Sequence, residues 1–313
     1  MRILFLGTPE FAVPALEQLA HEPDFELVGV ICQPDRPAGR KGELRPPAVK
    51  TAALSLGIEV FQPEKIKEEA SVHWLRERRP DALAVVAYGQ ILPRGVFNLP
   101  PLGAINAHAS LLPRYRGAAP IQWAIAQGET ETGVTTMRIE AGLDTGPMLL
   151  SEKLAIGPRE TARELSPRMA ALAARLLPRT LRGLAAGTIT LQPQNDAQAT
   201  LAPLLKREDG RMDWRQSAAQ IYNRWRGFQP WPGIFALAHG QPLILHQCVP
   251  SERPLALPGP LAAGEVSEFQ GRVLAGCGSG HALLEIIEVQ LAGRRRMSAA
   301  EYLRGQPPGL RLE

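Results

Sequence analysis

Residues 82 to 87 read Ala-Leu-Ala-Val-Val-Ala, and residues 102 to 106 read Leu-Gly-Ala-Ile-Asn. The first run is too short for a helix and offers no polar residue to water. It therefore reads as a strand buried on both faces, as in a parallel sheet sheathed by helices. The same reading extends outward. Arg2-Ile-Leu-Phe-Leu-Gly, Glu26–Cys32 and Glu59-Val-Phe are further strand candidates, and Phe11–His21, Pro47–Leu56 and Glu64–Arg79 have helical spacing between them. Gly103–Ala107 follows as a strand, Ala118–Gln127 as a helix, and Val134–Ile139 with Met148–Lys153 as a hairpin pair. A long Ala/Leu/Arg helix, Thr161–Gly187, stops at a glycine. Strands alternating with helices predict βαβ units, hence an α/β, Rossmann-like, mostly parallel sheet over residues 1–189.

The pattern changes at Leu191–Leu205, a mixture of Gln, Pro, Asn and Thr that reads as a linker (190–207). Beyond it, Ser217–Arg226 suits a short helix. Ile234–His239, Leu243–Val249, Gly264–Ser267, Arg272–Cys277 and Ala282–Leu291 are short strands bounded by turns, which predicts a smaller β-barrel of the oligonucleotide-binding kind over 208–313. The Pro/Gly-rich tail from Gly305 is expected to fray.

The 313 residues suit two domains, and 45% hydrophobic with 21% charged is an ordinary globular composition. No apolar run approaches a bilayer's thickness. Thr8, Pro9 and Glu10 cut the apolar start too early for a signal peptide, so a cytoplasmic protein is expected. Cys32, Cys248 and Cys277 are odd in number and widely spaced, which excludes a disulfide framework or zinc knuckle and predicts buried thiols. No metal is expected. Of the net charge of +4, residues 201–313 contribute +3, from 13 basic and 10 acidic side chains. That mild field favours a polyanionic partner.

Candidate chemistry gathers at the end of the strand beginning at Gly103. Asn106 and His108, two apart, share one strand face, at the sheet edge where open parallel sheets place ligands. Asn106 suits an oxyanion donor and His108 a general acid or base. Asp144, in Gly-Leu-Asp-Thr-Gly, suits a partner that orients the imidazole. Each residue alone has a plainer reading as a turn residue or core histidine. Gly7-Thr-Pro lacks the Gly-x-Gly-x-x-Gly of a dinucleotide site. Trp225 and Trp231 flank Phe228 and read as core and junction residues of the smaller domain.

Asn106-Ala-His-Ala-Ser-Leu-Leu-Pro-Arg-Tyr-Arg-Gly and Gly142-Leu-Asp-Thr-Gly-Pro-Met resemble the signature motifs of the folate-dependent formyltransferases. Gly7-Thr-Pro-Glu-Phe-Ala-Val-Pro, Gln33-Pro-Asp-Arg-Pro-Ala-Gly-Arg, Val86-Ala-Tyr-Gly-Gln-Ile-Leu-Pro, Phe228-Gln-Pro-Trp-Pro-Gly and Met297-Ser-Ala are similar to the branch of that family that acts on tRNA. The resemblance implies transfer of the formyl group of 10-formyltetrahydrofolate to the α-amine of methionine on initiator tRNA, in support of translation initiation. It implies that Asn106 and His108 stabilise the tetrahedral oxyanion. Asp144 would set the protonation of His108 and, through a water, supply a proton to the departing folate nitrogen. Ser110, Leu111, Leu112 and Pro113 correspond to the folate-contacting segment. The basic loop Gln33–Pro47, with Arg36, Arg40, Lys41 and Arg45, corresponds to the segment that reads the tRNA acceptor end, although Glu43 weakens its field. Lys206 and Arg207 in the linker, and Arg294-Arg-Arg in the smaller domain, are further candidates for tRNA backbone. One chain then supplies both surfaces, so a monomer is expected. Two rivals stand beside this reading: a formyltransferase of the same superfamily acting on an amino sugar nucleotide or purine precursor, and a non-catalytic RNA-binding protein on an enzyme scaffold.

Overall fold

The computed structural model describes residues 1–38, 42–252, 259–278 and 282–313. The chain forms two compact units. The first comprises Met1–Pro120, Glu131–Ala155 and Leu165–Pro203, and the second Ile121–Thr130, Ile156–Glu164 and Leu204–Glu313.

The first unit is built on β1 (Arg2–Gly7), β2 (Glu26–Ile31), the small hairpin β3 (Arg36–Ala38) and β4 (Glu43–Arg45), β5 (Val60–Phe61), β6 (Ala82–Val86), β7 (Ala104–His108), β8 (Glu131–Arg138) and β9 (Met148–Ala155). Seven of these form one sheet in the order β5-β2-β1-β6-β7-β8-β9. The first five are mutually parallel. β8 and β9 continue the sheet antiparallel. The sheet is thus Rossmann-like with an antiparallel extension. All five residues of β6 are buried, as the unbroken apolar run requires. Leu4, Leu6, Ile31, Leu75, Leu83, Val96 and Phe97 form one continuous core on this sheet. Burying each such side chain contributes about 1.5–3 kcal/mol. The long helix Ala162–Ala185 ends two residues before Gly187, which takes a left-handed φ of 66°.

The segment read as an irregular basic loop is in part a hairpin, pairing Arg36 with Arg45, Pro37 with Leu44 and Ala38 with Glu43. Arg40 and Lys41 lie outside the described residues.

The second unit carries β10 (Ile234–Ala238), β11 (Gln241–Ser251), β12 (Val266–Phe269), β13 (Arg272–Cys277), β14 (Ala282–Leu291) and β15 (Met297–Ser298), paired antiparallel in the order β10-β11-β14-β13-β12 with β15 on β14. Its helix Ala218–Gly227 starts in a capping box. Ser217 Oγ accepts from Gln220 N at 3.2 Å, and Gln220 Oε1 accepts from Ser217 N at 2.9 Å. Trp225 stacks on Tyr222 at 5.5 Å and donates to the His246 carbonyl. Trp231, expected in the core or junction of this domain, is 55% exposed instead. Pro230 and Pro232 flank it, and it lies outside every helix and strand.

The tail expected to fray is ordered into this sheet. Leu237 and Glu313 exchange both backbone hydrogen bonds (2.7 and 2.9 Å), Leu312 N donates to Gly264 O at 2.8 Å, and Val266 N donates to Leu310 O at 3.1 Å. Residues 310–313 therefore join β10 to the β12 edge and close the ladder into a ring, which removes two open strand edges. Leu310 and Leu312 are buried at 4% and 2% exposure. Composition alone had hidden these two anchors. Leu312→Ala is expected to lower unfolding free energy by about 3 kcal/mol in urea titration.

All three cysteines are fully buried. Burial pushes the Cys32 thiol up to about 11 and that of Cys277 to about 12. No helix among the described residues is long and apolar enough to cross a membrane.

Candidate active site

β7 lies between parallel β6 and antiparallel β8, so its carboxyl end sits where the sheet changes sense. Asn106 is paired with Val85 on one side and Met137 on the other, and His108 with Thr135. Period-two alternation puts the Asn106 and His108 side chains on one face. Asn106 is half-buried, and its amide has no hydrogen-bond partner among the described residues. His108 is 5% exposed. Its Nε2 lies 2.9 Å from the carbonyl oxygen of Tyr115. A carbonyl only accepts, so Nε2 carries the hydrogen and Nδ1 is the ring nitrogen left for chemistry.

That nitrogen faces Asp144. Nδ1 and Asp144 Oδ2 are 3.6 Å apart. This is too long for an N–H···O bond but close enough for a proton or a water to be shared after a small shift. Asp144 sits between β8 and β9 with φ 52°, a left-handed conformation that Asp tolerates better than most residues. Its Oδ2 accepts from Gly117 N at 2.8 Å, which aims the carboxylate across toward the His108 loop. The sequence motifs gave Asn106, His108 and Asp144 as candidates, and the fold brings the last two together beside the first.

The supporting strip lies 44 to 85 residues away in sequence. Gln192 exchanges backbone bonds with Met148 (2.8 and 2.9 Å). The amide nitrogen of Gln194 donates to the carbonyls of Asp144 (2.8 Å) and Gly146 (2.7 Å), and its oxygen accepts from Arg116 Nε at 3.0 Å. Arg116, 6% exposed, also pairs with Asp196 at 2.7 Å. Thr200 takes the backbone N–H groups of Tyr115 (on Oγ1, 2.9 Å) and Arg116 (on its carbonyl, 2.8 Å). None of these residues was singled out from sequence. Gln194 lay in a stretch that composition marks as a linker, and no periodicity ties it to Asp144.

The four residues of the expected folate segment divide by burial. Ser110 is fully buried and its hydroxyl donates to the Arg114 carbonyl at 2.6 Å, while its own carbonyl accepts from Thr135 Oγ1 at 2.8 Å. Leu112 is buried and its N–H donates to the same Thr135 hydroxyl at 3.2 Å. The peptide bond to Pro113 is cis. Only Leu111 and Pro113 keep side-chain surface. At the neighbouring strand end, after β6, Ile91 is 90% exposed between Gly89 and Pro93.

Arg36 and Arg45 face one another across the hairpin, both exposed. Arg36 pairs with Glu64 at 3.2 Å, an exposed contact that holds it only weakly. Arg45 has no acidic partner among the described residues. Lys206 and Arg207 are exposed in the second unit. Of the three arginines at 294–296, Arg295 pairs with Glu301 and Arg296 with Glu288, so two are at least partly neutralised. Among the described residues no three His, Cys, Asp or Glu side chains cluster as a metal site would require.

Residues 1–181 match the formyl transferase family, and residues 204–307 match the formyl transferase C-terminal domain. The chain is 51% identical over 306 residues to the methionyl-tRNA formyltransferase of Acidobacterium capsulatum, covering 97% of this chain and 96% of that protein. It is 52% identical to that of Solibacter usitatus, with 98% and 96% covered. Among solved structures, the sugar 3N-formyl transferase WlaRD, determined in the presence of dTDP and 5-N-formyl-THF, superposes with a TM-score of 0.66. It is 17% identical and covers 94% of this chain and 99% of its own. That likeness is one of fold. Half the residues identical along nearly the whole length is far more specific, and with it the chain belongs to the methionyl-tRNA formyltransferase family.

Proposed function

We propose that this chain moves the formyl group of 10-formyltetrahydrofolate to the α-amine of methionine on initiator tRNA, in the cytoplasm and as a monomer, with Asn106, His108 and Asp144 as its catalytic residues. The observation that carries the reading is the near-full-length identity to methionyl-tRNA formyltransferases, against 17% for the sugar enzyme.

The neutral amine attacks the formyl carbon, and the carbonyl electron pair moves onto oxygen. The amide of Asn106, which has no hydrogen-bond partner among the described residues, donates to that oxyanion. With its Nε2 hydrogen held by Tyr115, His108 can donate from Nδ1 only as the imidazolium, a cationic donor suited to an anion. Collapse of the tetrahedral species breaks the bond to the folate nitrogen. The amine's proton passes to Asp144, and a proton returns through water to the leaving nitrogen.

The residues present suit a flat pterin. Leu111, Pro113 and Ile91 offer apolar surface at the carboxyl ends of adjacent strands, and Ser110 and Leu112 hold the turn that presents them. The sugar enzyme of the same fold was solved with a formylated tetrahydrofolate. The 36–45 hairpin, together with Arg40, Lys41, Lys206 and Arg207, supplies cations for the tRNA backbone. Arg45→Glu is expected to weaken tRNA binding about 5–10-fold, to lower the slope of log affinity against log salt by about one, and to leave kcat at saturating tRNA unchanged. Salt-titrated binding checks this.

The deciding assay incubates the purified chain with 10-formyltetrahydrofolate and either charged initiator tRNA or an amino sugar nucleotide. Formyl-methionyl-tRNA as product supports the reading. Transfer only to the small amine favours a relative with another acceptor, and tRNA binding without any transfer removes the enzymatic assignment.

A further inference from the structure

We infer that Gln194 is a positioning residue for the formyl transfer, holding Asp144 at the distance from His108 that the reaction needs. The inference rests on the assignment of Asp144 above and deepens it.

Three observations carry it. First, both N–H groups and the oxygen of the Gln194 amide are engaged. Its two N–H bonds go to the carbonyls of Asp144 and Gly146 at 2.8 and 2.7 Å, and its oxygen takes the Arg116 Nε–H at 3.0 Å. Two carbonyls on one side and a guanidinium on the other admit one orientation of the amide and no other side chain of that size. Glutamate has the volume and the acceptor but no donor. Secondly, both carbonyls flank the left-handed turn in which Asp144 sits at φ 52°. A non-glycine residue stays in that region only where its surroundings over-determine it, and Gln194 bridges the turn from the carbonyl of 144 to that of 146. Thirdly, the far end of the bridge is Arg116, in the loop that supplies both the Tyr115 carbonyl on His108 Nε2 and the Gly117 N–H on Asp144 Oδ2. One side chain thus ties the carboxylate's backbone to the loop that orients the imidazole.

Gln194 touches neither reacting group. It acts through Asp144, so its loss should lower turnover without weakening either substrate. A displacement of about 1 Å in a catalytic group can cost on the order of 10²-fold in rate.

The test compares Gln194→Met and Gln194→Glu in the full chain, both near the natural volume. Readouts are kcat, KM for methionyl-tRNA and for the folate, the melting temperature, and the amide hydrogen exchange of Gly117 by NMR. Expected are a fall in kcat of about 10–100-fold in both variants, KM values within about two-fold, a melting temperature within a few degrees, and Gly117 exchange faster by about ten-fold as its carboxylate acceptor moves away. Wild-type kcat with unchanged Gly117 protection in Gln194→Glu would reduce Gln194 to a space-filler and overturn the inference. A loss confined to KM would do the same. Faster Gly117 exchange with wild-type kcat would instead overturn the catalytic assignment of Asp144, because the carboxylate would have moved at no cost.

Discussion

Asn106→Ala is expected to lower kcat about 10²–10³-fold, the usual cost of one lost oxyanion donor, and to leave folding stability unchanged. The second half of that expectation is unusual for a half-buried polar side chain. It follows from the amide having no hydrogen-bond partner among the described residues, so its removal orphans no group among them. The other two members of the trio cannot be separated so cleanly. His108→Ala removes the Nε2 hydrogen bond to the Tyr115 carbonyl, at about 1–3 kcal/mol of stability. Asp144→Ala takes away the acceptor of the Gly117 N–H. Asp144→Asn is the better variant, because its amide oxygen can still accept from Gly117 while the charge opposite Nδ1 disappears. It is expected to cost about 10²–10⁴-fold in kcat, the range for a lost acid–base partner. A His108→Ala, Asp144→Asn double variant should be little worse than its slower parent, since the two act as one unit. Single-turnover formylation beside thermal melts measures all of this. Near-wild-type rates in any two of the three single variants would end the assignment.

Gly146→Ala is expected to be the most damaging single methyl group in the first unit. A Cβ at 146 would lie 1.9 Å from the carbonyl oxygen of Arg138 and 3.3 Å from the Met137 side chain. The first neighbour is backbone at the end of β8, and it cannot swing aside. Arg138 N is also bonded to Pro147 O at 3.0 Å, so the two chains are locked together where the extra carbon must go. Overpacking of this kind costs about 1–3 kcal/mol where side chains can yield, and here they cannot, so about 3 kcal/mol or more is expected. Activity should fall further than stability, because Asp144 is two residues away. Gly187→Ala is the control. It has open space around it and only a left-handed φ of 66° to pay for, about 1–2 kcal/mol. Chemical unfolding of the pair checks the ranking, and a Gly146→Ala protein as stable as the control would refute it.

Much of the sheet was legible because its signals are local. An unbroken apolar run marked β6, and the run ending at Asn106 marked β7 to within a residue or two of its observed ends. Asn106 and His108 shared a face by alternation alone. Asp144 needed the family motif, since nothing in its own neighbourhood distinguishes a catalytic aspartate from a turn residue. Illegible were the contacts that span long separations. Thr200 to Tyr115 and Gln194 to Asp144 have no periodic trace, and a Gln/Pro/Asn/Thr mixture reads as linker whether it is solvated or stitched into a site. The tail failed for a related reason. Gly305 and its prolines announced disorder, while Leu310 and Leu312, two residues apart, carried a strand signal too short to notice. Trp231 shows the opposite error, in which size was taken for burial. Ser110 matched its motif, but its hydroxyl is spent inside the turn.

The strip from Gln192 to Thr200 has a practical corollary. The matched family region ends at residue 181, and a biochemist trimming the protein there would retain Asn106, His108 and Asp144 in full. The excised piece would nonetheless lose the seam that fastens the loop after His108 and the turn around Asp144. Such a fragment is expected to be inert, and supplying residues 190–203 as a separate peptide would be the natural attempt at complementation.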